Sequence, residues 1–253
     1  MPDLKAAAAR ALACLDLTNL NDDCTSEDVK SLCTKANTKH GPTAAVCVWP
    51  RFVSEAQGHL LGSGIRVATV VNFPGGDDAA EDVLDLTEKS VADGADEIDM
   101  VIPYKALMEG HPELVPALVA RVREASGDAR VKTILETGIL GDATLIRQAA
   151  DGALEGGADF LKTSTGKVPV NATPVAGRIL LEAIRDSGKP VGFKPSGGVK
   201  TIADAAAYLD LCAEIMGPDW ATPSTFRIGA SGVLTALLAT LDGAEMPAQT
   251  AGY

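Results

Sequence analysis

Short runs rich in valine, isoleucine and leucine recur along the chain, separated by longer stretches in which apolar residues return every three or four positions. The first kind of run suits a strand buried on both faces and the second an amphipathic helix, and their alternation is the signature of parallel βα units. On this pattern strands are predicted at 15–18, 44–49, 65–71, 97–102, 131–136, 160–163, 191–194 and 226–229. Helix starts are expected with Asp77 and Asp142 as N-caps, with Thr173 followed by Pro174, and with a Thr201 to Asp204 capping box. Gly94, Gly156 and Gly188 are expected to close helices. After Asp142, the residues Leu145, Ile146, Ala149, Ala150, Ala153 and Leu154 form one stripe suited to covering a sheet. Eight units with no compositional break favour an α/β fold, a single (β/α)8 TIM barrel over residues 1–253 with a short N-terminal helix and a flexible C-terminal tail. No GxGxxG follows the first strands, which weakens the alternative of an open, doubly wound, dinucleotide-binding sheet.

A short internal echo bears on geometry. Gly94-Ala-Asp-Glu-Ile-Asp99 matches Gly157-Ala-Asp-Phe-Leu-Lys162 position by position, so Asp99 aligns with Lys162. If both segments enter their strands alike, the fourth and sixth strands present a carboxylate and an amine at one height inside the barrel.

Composition narrows the function. Of 253 residues, 22 are basic and 34 acidic, a net charge of −12 that repels polyanions and anionic membranes, so neither nucleic acid nor a membrane is an expected partner. No apolar run reaches the roughly 18 to 20 residues that span a bilayer, the first ten residues do not resemble a signal peptide, and a cytoplasmic location is expected. Cys14, Cys24, Cys33, Cys47 and Cys212 are odd in number and contain no CxxC, so free thiols are expected. His40, His59 and His111 lack metal-ligand spacing; no metal and no cofactor is expected.

The anomaly is lysine within apolar strands: Lys132, Lys162 and Lys194. Each either reaches water from a strand end or is buried, in which case desolvation and a neighbouring cation lower its pKa and make it a nucleophile able to form a Schiff base. Asp99 lies within another apolar strand, as a proton relay or as one half of an internal salt bridge. Asp16 and Thr18, at the end of the first strand, either meet a hydroxylated substrate or cap a helix. Glycine- and hydroxyl-rich loops follow Lys162, Lys194 and Phe226, and such loops can cradle a phosphate, commonly after strands seven and eight of a barrel.

Several segments in one order also resemble a known family: Leu15 to Asp23, Ala44 to Phe52, Ala95 to Asp99, Ala158 to Lys167, Val170 to Pro174 and Gly192 to Val199. Over nearly its whole length the chain is similar to the 2-deoxyribose-5-phosphate aldolases. The resemblance implies a class I, metal-independent barrel enzyme that reversibly cleaves 2-deoxy-D-ribose 5-phosphate to acetaldehyde and D-glyceraldehyde 3-phosphate. It implies Lys162 as the Schiff-base lysine and Asp99 with Lys194 as the proton-transfer pair. It puts Gly166, Lys167, Gly197, Gly198, Gly229 and Ser231 at the phosphate, with Gly232 standing where the family usually has a second serine. Lys132 is expected close to the substrate, and the terminal Tyr253 is a candidate proton relay. A homodimer is expected as one arrangement of the alanine-rich helices. Another Schiff-base sugar-phosphate lyase, an isomerase on the same barrel, and a non-catalytic binder of anionic metabolites remain open.

Overall fold

The computed structural model describes residues 4–243, so the tail and Tyr253 lie outside the described residues. Eight parallel strands form one sheet: β1 (Leu15–Thr18), β2 (Ala45–Val48), β3 (Arg66–Val71), β4 (Glu97–Val101), β5 (Arg130–Ile134), β6 (Phe160–Lys162), β7 (Gly192–Lys194) and β8 (Ile228–Ala230). All eight predicted strands are present, within two residues at each end. They pair in chain order, with β8 returning to β1. The seam between β7 and β8 closes the barrel through Phe193 N to Thr225 O, Arg227 N to Phe193 O, and Gly229 N to Pro195 O, at 2.8 to 3.0 Å. The next bond of that ladder would come from the nitrogen of residue 195. Pro195 has no N–H, so the seam is interrupted there and β8 begins late.

Helix boundaries follow the chemistry of their first turns. Asp142 accepts from Thr144 N and Leu145 N, Thr173 caps Pro174–Ser187, and Thr201 with Asp204 forms the capping box of Ile202–Met216. Asp77 is not an N-cap: the helix Ala80–Ala92 starts three residues later, and Asp77 instead pairs with Lys105 at 2.6 Å. The loop before that helix is held by Asn72, whose Oδ1 accepts from Asp78 N. The stripe on Ala143–Glu155 is buried from Ile146 to Leu154. The extra N-terminal helix, Leu4–Ala13, packs on Ile202–Met216 and Val233–Asp242 and buries Ala8 and Ala11, so these alanines serve packing within the chain.

Strand tilt decides which side chains share a level inside the barrel. Asp99 lies opposite Lys132, which lies opposite Phe160, but in a barrel of this shear the level advances by roughly one residue per strand. Asp99 is therefore level with Lys162. Counting the same way from the N-terminal end gives Arg66, Arg130 and Gly192; then Ala45, Glu97, Phe160 and Arg227; then Asp16, Ala68, Lys132 and Lys194; then Cys47, Asp99, Lys162 and Gly229. Cys47, Ala68, Val70 and Leu20 pack as an apolar cluster along β1–β3.

Gly192 is where the interior is tightest. A Cβ there would lie 2.3 Å from Cε1 of the buried Phe160 ring. Gly192→Ala should destabilise the fold by about 1–3 kcal/mol through overpacking. A lowered urea midpoint is expected; an unchanged midpoint would mean that the ring moves aside freely.

Candidate active site

Seven charged side chains meet inside the barrel, all almost fully buried: Asp16, Glu97, Asp99, Lys132, Lys162, Lys194 and Arg227. Burial of a charge is tolerated only with close opposite partners. Asp99 is the hub: Lys132 donates to its Oδ1 at 2.6 Å, and Lys162 and Lys194 both donate to its Oδ2 at 2.7 Å. Lys194 also holds Asp16 at 2.5 Å, and Lys132 also holds Glu97 at 2.6 Å. Arg227 bridges Asp16 and Glu97, each at 2.7 Å.

With three carboxylates and four cations in this space, one positive charge is in excess, and partner count decides which amine is held least firmly in its charged form. Lys132 and Lys194 each face two or more carboxylates within hydrogen-bond or ion-pair distance, whereas Lys162 faces only Asp99, on an oxygen it shares with Lys194. Burial lowers the pKa of every amine here. At Lys194 the attraction of Asp16 and Asp99 outweighs burial and the pKa is raised, and at Lys132 Asp99 and Glu97 do the same. At Lys162 burial wins, Lys194 adds repulsion, Asp99 opposes them, and the pKa falls below the lysine value. The carboxylates behave conversely. Burial raises Asp99, but Lys132, Lys162 and Lys194 together hold it well below the ordinary range. Asp16 and Glu97 are likewise pushed up by burial and pulled down further by their cations.

Above this network, at the C-terminal ends of the strands, opens a cavity of about 820 Å³. Lys162 is the last residue of β6 and keeps 3% exposure, against none for Lys132 and Lys194, so it is the amine nearest to release into that space. Thr18, Gly166, Lys167, Gly197, Gly198, Gly229 and Ser231 line the cavity. Gly197 and Gly198 both have positive φ, and at Gly197 a Cβ would meet Asn171 at 2.7 Å. Gly197 N donates to Gly229 O at 3.3 Å. The N–H groups of Gly166, Gly198, Ser231 and Gly232 make no hydrogen bond among the described residues. Gly232 does not line the cavity; it sits as N-cap of Val233–Asp242 with open space where a side chain would be. Unpaired N–H groups on glycine turns around one cavity are a means of holding a phosphate. Lys167 reaches across to Asp22 at 3.3 Å and over the Trp49 ring.

A family model for the DeoC/LacD family aldolases matches residues 10–239. The chain belongs to the DeoC/LacD family of aldolases. It is 53% identical to a deoxyribose-phosphate aldolase from Agrobacterium fabrum, with 98% of this chain and 96% of the relative aligned. The structure of a candidate deoxyribose-phosphate aldolase from Toxoplasma gondii ME49 superposes with a TM-score of 0.88 at 27% identity, covering 96% of this chain and 99% of that one. A tetrameric deoxyribose phosphate aldolase from Aeropyrum pernix gives 0.77 at 25% identity, covering 94% and 97%. The chain is thus an aldolase, a carbon–carbon lyase on a TIM barrel.

In this aldolase the three residues expected at the chemistry, Lys162, Lys194 and Asp99, do come together. Besides Gly232, two more expected substrate contacts do not lie at the cavity. Asp16 is locked between Lys194 and Arg227, capping no helix, and Lys132 lies in mid-strand beneath Asp99. Three buried groups went unpredicted. Glu97 stands two residues before Asp99 and so on the same strand face, a signal that was present in the sequence. Arg227 follows Phe226 and reads there only as part of a loop-bound strand. Glu136, in a left-handed conformation (φ 56°), accepts from Thr165 Oγ1 at 2.6 Å and ties down the loop carrying Gly166 and Lys167; burial pushes its pKa up, against the Thr165 bonds.

Glu97→Gln would leave Lys132 and Arg227 short of a carboxylate in the dry interior, and a loss of about 3–5 kcal/mol in unfolding free energy at pH 7 is expected. Since the folded pKa of Glu97 is depressed, its contribution is present above the unfolded value of about 4.3 and lost as pH falls through the folded one. Stability of the variant should therefore depend less steeply on pH below about 4 than that of the parent. Equal slopes in urea titrations across that range would contradict the pairing.

Proposed function

We infer that the chain cleaves 2-deoxy-D-ribose 5-phosphate reversibly to D-glyceraldehyde 3-phosphate and acetaldehyde, with Lys162 as the Schiff-base nucleophile. The observation that carries this reading is the buried Lys162 amine, 2.7 Å from Asp99 and the least paired cation of its network, below a cavity ringed by unpaired N–H groups. The neutral amine adds to C1 of the open-chain sugar, and the carbinolamine loses water to give an iminium. The new cation keeps Asp99 as its counter-ion. Breaking C2–C3 sends the bonding pair into the iminium, giving an enamine, while the C3 hydroxyl proton leaves and glyceraldehyde 3-phosphate departs. Asp99 is ionised at every physiological pH, which keeps it available but weakly basic. It takes the proton through a water only as the C3 hydroxyl becomes acidic during cleavage, with Lys194 fixing the carboxylate. Protonation of the enamine at C2 and hydrolysis release acetaldehyde and restore Lys162. Gly166, Gly198 and Ser231 hold the phosphate, with Lys167, Gly197 and Gly229 shaping its cradle and the helix start at Gly232 lying behind Ser231, so part of that binding energy should appear in kcat. Thr18 faces the sugar.

The cytoplasm is the compartment that suits five buried free thiols, and among the described residues no helix is long and apolar enough to cross a membrane. A homodimer also belongs to this proposal, to be tested by light scattering.

Borohydride reduction with acetaldehyde should add a two-carbon adduct at Lys162, found by peptide mapping, and Lys162→Ala should abolish both adduct and turnover. Activity should survive EDTA. An adduct confined to another lysine would refute the assignment. Lys194→Met removes a repelling cation and raises the Lys162 pKa, so the acid limb of the kcat/KM profile should move to higher pH as activity falls. An unmoved limb would separate the two lysines.

A further inference from the structure

The opposite mouth of the barrel, at the N-terminal ends of the strands, holds a second cavity of about 420 Å³. Three guanidinium groups line it: Arg66 and Arg130, which share one level, and Arg227 on the next. No carboxylate side chain lines it, in a chain with 34 acidic residues. Arg227 is committed to Asp16, Glu97 and the Pro223 carbonyl. Arg66 comes only within 3.8 Å of Glu97, whose oxygens are already held by Arg227 and Lys132. The Arg130 side chain makes no hydrogen bond or ion pair among the described residues. At the rim, His40 is bound to Asp242 at 2.7 Å, and Lys39 holds the same carboxylate at 2.8 Å.

The cavity lacks counter-charge. Asp16, Glu97 and Asp99 balance Lys132, Lys194 and Arg227, so Arg66 and Arg130 remain as two positive charges without counter-ions of their own. Both are guanidinium groups, the fork-shaped donors that match phosphate oxygens in pairs. A phosphate group carries about −1.5 to −2 at pH 7. We propose that this cavity is a second anion site, taking inorganic phosphate or the phosphate of a small monoester between Arg66 and Arg130, separate from the substrate cavity at the other end of the barrel. Ser224 also lines the cavity, with its hydroxyl 2.8 Å from Thr222 Oγ1.

The test is calorimetric titration of the full chain with inorganic phosphate, in parallel with phosphate inhibition of sugar-phosphate cleavage. The parent should show two sites. The double variant Arg66→Gln, Arg130→Gln should lose one of them, binding there at least tenfold more weakly, while keeping the other site, its kcat and the competitive inhibition that arises at the substrate cavity. Lys167→Ala, at the substrate cavity, should weaken the competitive component and leave the second site intact. A parent with a single site that the double variant leaves unchanged would overturn the proposal; loss of competitive inhibition in the double variant would overturn its separateness.

Discussion

Asp99 is shared by three amines, and the arrangement of the interior around it decides what the barrel can do. Two of those amines have further carboxylates to neutralise them, and the third has none. A buried cation with a single shared partner is the least stable charge in the network, so the network itself selects Lys162 as the amine that gives up its proton most readily. The selection needs no special property of Lys162 beyond its position on the last rung of β6, where desolvation acts fully and counter-ions are scarce. Lys162 also keeps 3% exposure on the cavity side of the network, whereas Lys132 and Lys194 one level below have none.

Barrel geometry produces this difference from ordinary strands. Shear brings Asp99 level with Lys162 although their strands are not neighbours, and alternation places Asp16 with Lys194 one level below and Glu97 with Arg227 one level further down. Glycine is required where the charges need room. At Gly229 a Cβ would press on Ser196 Oγ at 2.5 Å and Lys194 Cε at 3.1 Å. Cys47, level with Asp99 on the apolar side, has its thiol pushed up to about 11 by burial and the nearby Asp99, so it stays neutral beside the network.

Much of this was legible in the chain because burial on both faces makes a charged residue within a strand conspicuous. Lys162, Lys194 and Asp99 stood out on that ground, and the Gly94 and Gly157 echo anticipated a contact that the structure shows at 2.7 Å. Depth along the strand was not legible. Lys132 is the third residue of β5, where Lys162 is the last of β6, and a periodic pattern does not distinguish the rim from the floor. Asp16 was misjudged for the same reason. Asp77 was mistaken for a cap because a capping sequence does not reveal that Asn72 organises the following loop. The broken seam after β7 had a visible cause in Pro195, but only the pairing of β7 with β8 gives that proline its meaning.

The measurement that bears most directly on this account is the titration of the Lys162 amine in the folded protein, read from the pH dependence of its labelling by fluorodinitrobenzene with peptide mass spectrometry. The account requires half-titration below the ordinary lysine value of 10.5, with Lys132 and Lys194 unlabelled over the same range. Half-titration of Lys162 at or above that value would contradict it, because the shared carboxylate would then be holding the nucleophile protonated.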